Sequence, residues 1–200
     1  MFLTFCHHTF KKYLLNLIVI KHIFLLLLSI ITLCCCSKDD DTPTNPVDQL
    51  PLATQIGANK VGCLVNGEVF LSKGSNPLGP PLITCFYQFV NNSWHFSLGY
   101  SNNQQENLRG INIASKGVEL QQGQTYPLVL QSDNSCYGRY TNWGETHHYI
   151  TNNTFYCQFK ITKLDQVNNI VSGTFWFDAV NSNGVKVEIR EGRFDMQYSP

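Results

Sequence analysis

From Val61 to the end of the chain, apolar residues recur at every second position in short runs separated by clusters of Gly, Asn, Ser and Pro. Alternation of this kind turns one side of an extended segment toward a core and the other toward water, whereas a helix needs a spacing of three to four. In SWHFSLGY, Trp94, Phe96, Leu98 and Tyr100 share one face, and His95 falls on the solvent face with Ser97 and Gly99. In TFYCQFKITKL, Phe155, Cys157, Phe159 and Ile161 alternate with Tyr156, Gln158, Lys160 and Thr162. In IVSGTFWFDAV, Gly173, Phe175, Phe177 and Ala179 oppose Thr174, Trp176 and Asp178. No helical period is sustained here. The expected fold is therefore all-β, an antiparallel meander forming a β-sandwich or a partly closed β-barrel.

The last hairpin is the most detailed part of this reading. Asn181, Ser182, Asn183 and Gly184 form a turn whose Asn-Gly pair tolerates positive φ. Beyond it Val185, Val187 and Ile189 point one way, but Phe194, Met196 and Tyr198 are out of phase by one. A bulge at Glu191-Gly192, with the glycine left-handed, restores the register. It leaves Lys186, Glu188, Arg190, Arg193, Asp195 and Gln197 on a mixed-charge solvent face, which discourages edge pairing.

The N-terminal part has a different character. Residues 1–35 carry Lys11, Lys12 and Lys21, no acid, and an apolar run from Ile23 to Leu33 that is too short to span a bilayer but fits a signal-peptide core. A retained transmembrane helix would need Tyr13 to Leu33 to cross with Asn16, Lys21 and His22 inside the span, each costly there. The run ends in Cys34, Cys35 and Cys36, and a hydrophobic run ending in cysteine resembles the lipobox of bacterial lipoproteins. That resemblance implies a cysteine acylated through its sulfur, as by palmitate, and made the first mature residue. Cys36 is the expected lipidation site, with Cys35 and Cys34 as alternatives, and two or more acyl chains give stable anchoring. Residues 36–51 then read as a lipidated cysteine and a disordered acidic tether, rich in proline and aspartate. The run Ser37 to Asp41 resembles the acidic export signal that carries Bacteroidota lipoproteins to the outer face of the outer membrane. Residues 52–200 are left as a single all-β domain.

Charge follows the same division. The chain holds 14 basic and 14 acidic residues, and only 14% of its residues are charged, against roughly 25% in an average soluble domain. Cleavage before Cys36 removes three lysines and no acid. The mature chain is then −3, all of it in the tether, and residues 52–200 are balanced. A balanced domain without a basic cluster argues against nucleic acid as a partner.

Four cysteines, Cys63, Cys85, Cys136 and Cys157, belong to the domain. An even number in an oxidising compartment suggests two disulfides, with Cys63 to Cys85 and Cys136 to Cys157 the nearest pairings and free buried thiols the alternative. Adjacent His147 and His148, with Glu145, are expected on a loop and give at most an incomplete metal shell. Asp178, Asn181, Asn183 and Gly184 lack the first aspartate of a calcium loop, because Ala179 stands in its place. No G-x-S-x-G occurs, the acids are too scattered to single out a pair, and phosphate-binding or dinucleotide fingerprints are absent. No catalytic residue, metal or cofactor is therefore assigned, and the chain is not read as an enzyme. Trp143, Tyr149, Tyr156 and Trp176 are the candidate ligand platform, a set of rings on which a sugar could stack if they share an exposed patch.

ATQIGANKVGCLVNGEVF near the start of the domain, with ITKLD, IVSGTFWFDAV, NSNG and VEIREGRFDMQY at its end, resembles a Bacteroidota lipoprotein family catalogued as domain of unknown function number 6252. The resemblance runs from about Leu50 to Tyr198 and implies a secreted, lipid-anchored β-domain, with no reaction or functional residues to carry over. The functional expectation is a non-catalytic binding or interaction module, lipid-anchored to the outer membrane and exposed at the cell surface, with a glycan or protein ligand. A structural envelope protein without a small ligand is the alternative, and a glycan-active enzyme a more distant one.

Overall fold

The computed structural model describes residues 20–22, 45–75, 79, 81–104, 107–145 and 147–200, and the chain divides into two units, Met1–Thr42 and Pro43–Pro200. In the first unit only Ile20, Lys21 and His22 are described, as helix. The apolar run, Cys36 and the acidic stretch after it lie outside the described residues. Among the described residues no helix is long and apolar enough to cross a membrane.

In the second unit the alternating runs become eleven strands among the described residues: β1 (Lys60–Val65), β2 (Glu68–Leu71), β3 (Ile83–Val90), β4 (Ser93–Asn102), β5 (Arg109–Lys116), β6 (Thr125–Pro127), β7 (Ser135–Asn142), β8 (His147–Ile150), β9 (Gln158–Asp165), β10 (Ile170–Val180) and β11 (Lys186–Gln197). Asparagine shapes the tight turns between them. Asn66 and Gly67 join β1 to β2, and Asn91 and Asn92 join β3 to β4, all four at positive φ, the conformation a two-residue hairpin needs. The β10–β11 turn is built differently from the sequence expectation: only Gly184 there has positive φ. Asn181 closes that loop with its side-chain oxygen, which accepts from the amides of Asn183 (3.0 Å) and Val185 (2.9 Å).

All pairings between named strands are antiparallel, in the order β2-β1-β11-β10-β8-β7-β5-β4-β3. The sheet forks at β10, whose first part pairs with β9, and through it β6, while its last residue, Val180, meets Ile150 of β8. The sheet curls into a partly closed barrel. Main-chain bonds draw its far edge to the end of β11: Ser199 donates to the Cys85 carbonyl (3.0 Å), and Tyr87 donates to the Ser199 carbonyl (3.1 Å).

The inward faces fill the barrel and are those the alternation assigns, except that Val185, ahead of β11, is exposed and not inward with Val187 and Ile189. Phe159 is stacked between Phe96 (5.4 Å between ring centres) and Phe194 (6.0 Å), and Leu98, Ile113, Ile161, Phe177 and Ile189 are completely buried around them. Binding sites must therefore be sought on the outer face.

Three expectations need correction. Residues ahead of the Leu52 boundary are structured: Asn45 caps a 3-10 turn at Pro46–Gln49, and Leu50 is buried. Leu50 and Pro51 lie over Gly62, where a side chain would collide with both Pro51 and Leu71, so the segment leading into β1 is a strap against the barrel. The four domain cysteines are free buried thiols, because the fold keeps the expected partners apart. Cys136 and Cys157 flank an intervening extended segment, in which the Leu128 amide donates to the Cys157 carbonyl and the Val129 amide to the Cys136 carbonyl. That places them about two strand spacings apart, roughly 9–10 Å, beyond the about 7 Å limit for Cα atoms of a disulfide. Cys63 meets β11 beside the Glu191–Gly192 bulge, whereas Cys85 meets the chain at Ser199, on the order of 20 Å further along an extended chain. Burial pushes the Cys63, Cys85 and Cys136 thiols up to about 12, so they stay protonated and inert near neutral pH. Finally, His147 and His148 lie on β8 instead of a loop.

Candidate functional site

The four candidate rings do not form one platform. Tyr149 is only 7% exposed and packs inward against Tyr140, 5.6 Å between ring centres. The strand that replaces the expected loop is what turns it to the core. Trp143 is 49% exposed and lies on Gly110 of β5, where any side chain would touch its ring. Three steps of strand order separate β5 from β10. Tyr156 and Trp176 do come together, at 5.4 Å between centres with planes tilted by 54°. Tyr156 is 73% exposed, while Trp176 is half-buried on the outer face of β10.

Beside this pair lies an open groove of about 710 Å³, lined by Ala53, Thr174, Trp176, Arg190, Glu191 and Arg193. It is larger than the grooves of about 500 Å³ beside His95 and about 280 Å³ beside Trp143. Strand pairing explains its floor. Trp176 stands between Gln158 of β9 on one side and the bulge of β11 on the other. There Phe175 pairs with Gly192 and Phe177 with Ile189, so Arg190 and Glu191 together oppose Trp176. The bulge lies where the phase change in the sequence puts it, but its geometry differs. Glu191, not the glycine, takes positive φ, 55°, which is uncommon for a residue with a long side chain; the other non-glycine residues at positive φ among the described residues are all asparagines. Gly192 is required for another reason: a Cβ there would overlap the Phe175 ring.

The groove's two arginines are in different states. Arg190 is fully engaged. It donates to Asp178 Oδ1 (2.6 Å) and to the carbonyls of Phe177 (3.1 Å) and Ile189 (2.9 Å), and its guanidinium lies 5.7 Å from the Trp176 ring centre. Asp178 also accepts from Lys186 (3.2 Å), which donates to Glu188 as well (2.6 Å). Bonds to Glu188 and Asp178 raise the Lys186 pKa. This cluster satisfies itself and holds Trp176 in place. Arg193 is held only loosely, with Glu191 Oε2 3.9 Å away and the Glu191 carbonyl accepting from Nε at 3.5 Å.

The strap forms the groove's remaining wall, and one buried carboxylate fixes it. Asp195 has the outward parity the sequence predicts but is only 1% exposed, because residues 54–58 cover it. It accepts from the Thr54 hydroxyl (2.6 Å), the amides of Ile56 (3.0 Å), Gly57 (2.8 Å) and Ala58 (3.2 Å), and the Ser172 hydroxyl (2.8 Å). Burial alone would raise its pKa, but these bonds outweigh burial and hold it down to about 2. The sequence carries no sign of this role, since the partners lie about 140 residues away along the chain.

Comparison of the chain with family models, curated proteins and solved structures finds no match. The groove is therefore read from its own residues. They offer stacking rings, hydroxyls and charged donors and acceptors on a rigid sheet, the elements of a recognition surface. Among the described residues no group of three or more His, Cys, Asp or Glu side chains is placed to hold a metal ion.

Proposed function

We propose that the chain is a non-catalytic binding module that takes a sugar ring in the Trp176 groove. On this reading it is tethered through Cys36 to the outer membrane, displayed at the cell surface, and related to the Bacteroidota lipoproteins its end motifs resemble. The observation that carries the ligand class is the Tyr156–Trp176 pair beside a groove bordered by Thr174, Arg190, Glu191 and Arg193. An exposed aromatic face suits the C–H side of a pyranose, and the surrounding polar groups suit its hydroxyls.

Trp176 is fixed before any ligand arrives. Arg190 covers part of its ring, and that arginine is pinned by Asp178 and two carbonyls, so little side-chain entropy is lost on binding. The test is a glycan array probed with the full chain in detergent, with Trp176→Ala and Tyr156→Ala alongside. The expected result is binding to a defined set of glycans that Trp176→Ala abolishes and Tyr156→Ala weakens at least about fivefold, roughly 1 kcal/mol for a lost ring contact. Binding that survives both substitutions would remove the ligand from the Trp176 groove, and no binding at all would favour a structural envelope protein.

A further inference from the structure

The row of side chains next to Trp176 deepens this reading and rests on it. Thr174 of β10 is directly opposite Lys160 of β9 and also opposite Arg193 of β11. Thr174 and Lys160 are exposed, while the Arg193 side chain is only 19% exposed, and by strand register all three share the outer face with Trp176, two residues along β10. Directly opposed residues in a sheet bring their Cβ atoms to about 5 Å. The row therefore reads cation, hydroxyl, cation across three strands, at the edge of a groove that begins with an aromatic ring.

Neither cation is used up by the fold. Among the described residues Lys160 makes no ion pair, and Arg193 has the loose approach of the Glu191 carboxylate at 3.9 Å and a long bond from Nε to the Glu191 carbonyl at 3.5 Å. The other acids nearby are committed elsewhere: Asp178 to Arg190 and Lys186, and Asp195 to the strap. Lys186 and Arg190 are occupied by those same acids and by Glu188. The charge left over beside the groove is positive, although residues 52–200 as a whole are neutral.

We infer that the groove selects an acidic sugar, with the ring on Tyr156 and Trp176 and a carboxylate or sulfate substituent on the Lys160–Thr174–Arg193 row. A guanidinium presents paired donors to such an anion, the ammonium adds a point charge, and the threonine hydroxyl donates between them. The two acidic groups share this chemistry, and the choice of probes separates them.

The test is calorimetric titration of the full chain in detergent with two matched pairs: trigalacturonate against its methyl ester, and a sulfated galactan oligosaccharide against its desulfated form. In at least one pair the charged member should bind about tenfold tighter, and that pair identifies carboxylate or sulfate. Arg193→Gln and Lys160→Gln should each weaken the charged member far more than the uncharged one and so remove most of the difference, and added salt should do the same. Tyr156→Ala should weaken both members of the pair. Equal binding of charged and uncharged members would overturn the acidic assignment and leave the sugar-binding reading intact. Affinities unmoved by Tyr156→Ala, or no binding by any of the four probes while a glycan array is also blank, would overturn both.

Discussion

Asp195 shows how much a single side chain can organise. Three amides and two hydroxyls converge on its carboxylate, and they come from the strap and β10, so one residue fastens the entry of the chain to the middle of the sheet. Replacing it with asparagine puts an amide against amide donors. The expected cost is about 2–4 kcal/mol of unfolding free energy, measured by chemical denaturation. The pH dependence has a definite sign. The folded pKa of about 2 lies below the ordinary carboxylate value of 3.8, so the stabilisation is complete above about pH 5 and is lost as pH falls from 4 toward 2. Asp165 adds to the same trend. Bonds from Asn168 and the Val167 amide hold its carboxyl down to about 2 within the β9–β10 turn. Thermal unfolding of the wild type should fall steeply across that window, and Asp195→Asn should flatten the fall. A wild-type profile that is flat from pH 5 to 2 would contradict the latch.

At the scale of elements, the β11 bulge connects packing to the site. A bulge inserts one extra residue and re-aims the side chains around it, here putting both Arg190 and Glu191 opposite Trp176. Gly192 makes that possible, because the Phe175 ring occupies the space a Cβ would need. Gly192→Ala should destabilise the domain by about 1–3 kcal/mol through overpacking, and it should weaken ligand binding in the fraction that folds, since the ring beneath the groove floor must shift. The bulge was readable from sequence as a phase change between Ile189 and Phe194. Which residue would be left-handed was not, since that depends on Phe175 across the ladder. Similarly, alternation places Tyr156 and Trp176 outward. It says nothing of Tyr149, whose short strand, β8, is defined by pairing with β7 in place of any local signal.

For the whole molecule, the inward half of each long strand was legible because the barrel interior has one requirement, apolar bulk at alternate positions. Phe96, Phe159, Phe175 and Phe194 meet it together. Closure, the fork at β10 and the strap were not legible, since each joins segments remote in sequence through main-chain or single-residue bonds. The cysteines show the same limit: their number suggested disulfides, but an intervening segment and the length of β11 keep the partners apart. Closure rests on the last residues. Tyr198 is buried, with its ring edge-on to Tyr87 at 5.8 Å, Ser199 bonds to β3 on both sides of Phe86, and the Pro200 carbonyl accepts from Gln88 (2.9 Å). Removing residues 198–200 should cost about 2–4 kcal/mol and free the β3 edge, where Phe89 and Val90 are exposed. The denaturation midpoint should fall and soluble oligomers should appear on size exclusion. An unchanged midpoint would mean that the barrel does not depend on this closure.

The chain's three tryptophans are placed to report on the central claim. Trp176 lines the groove, Trp143 lies on β5 by a different groove, and Trp94 stacks on Tyr87 at 4.7 Å. The most direct measurement follows their three indole N–H resonances in an ¹⁵N-labelled sample titrated with an oligosaccharide selected by the array. The account expects a saturable shift of the Trp176 resonance with Trp94 and Trp143 unmoved; movement of Trp143 or Trp94 while Trp176 stays still would contradict it.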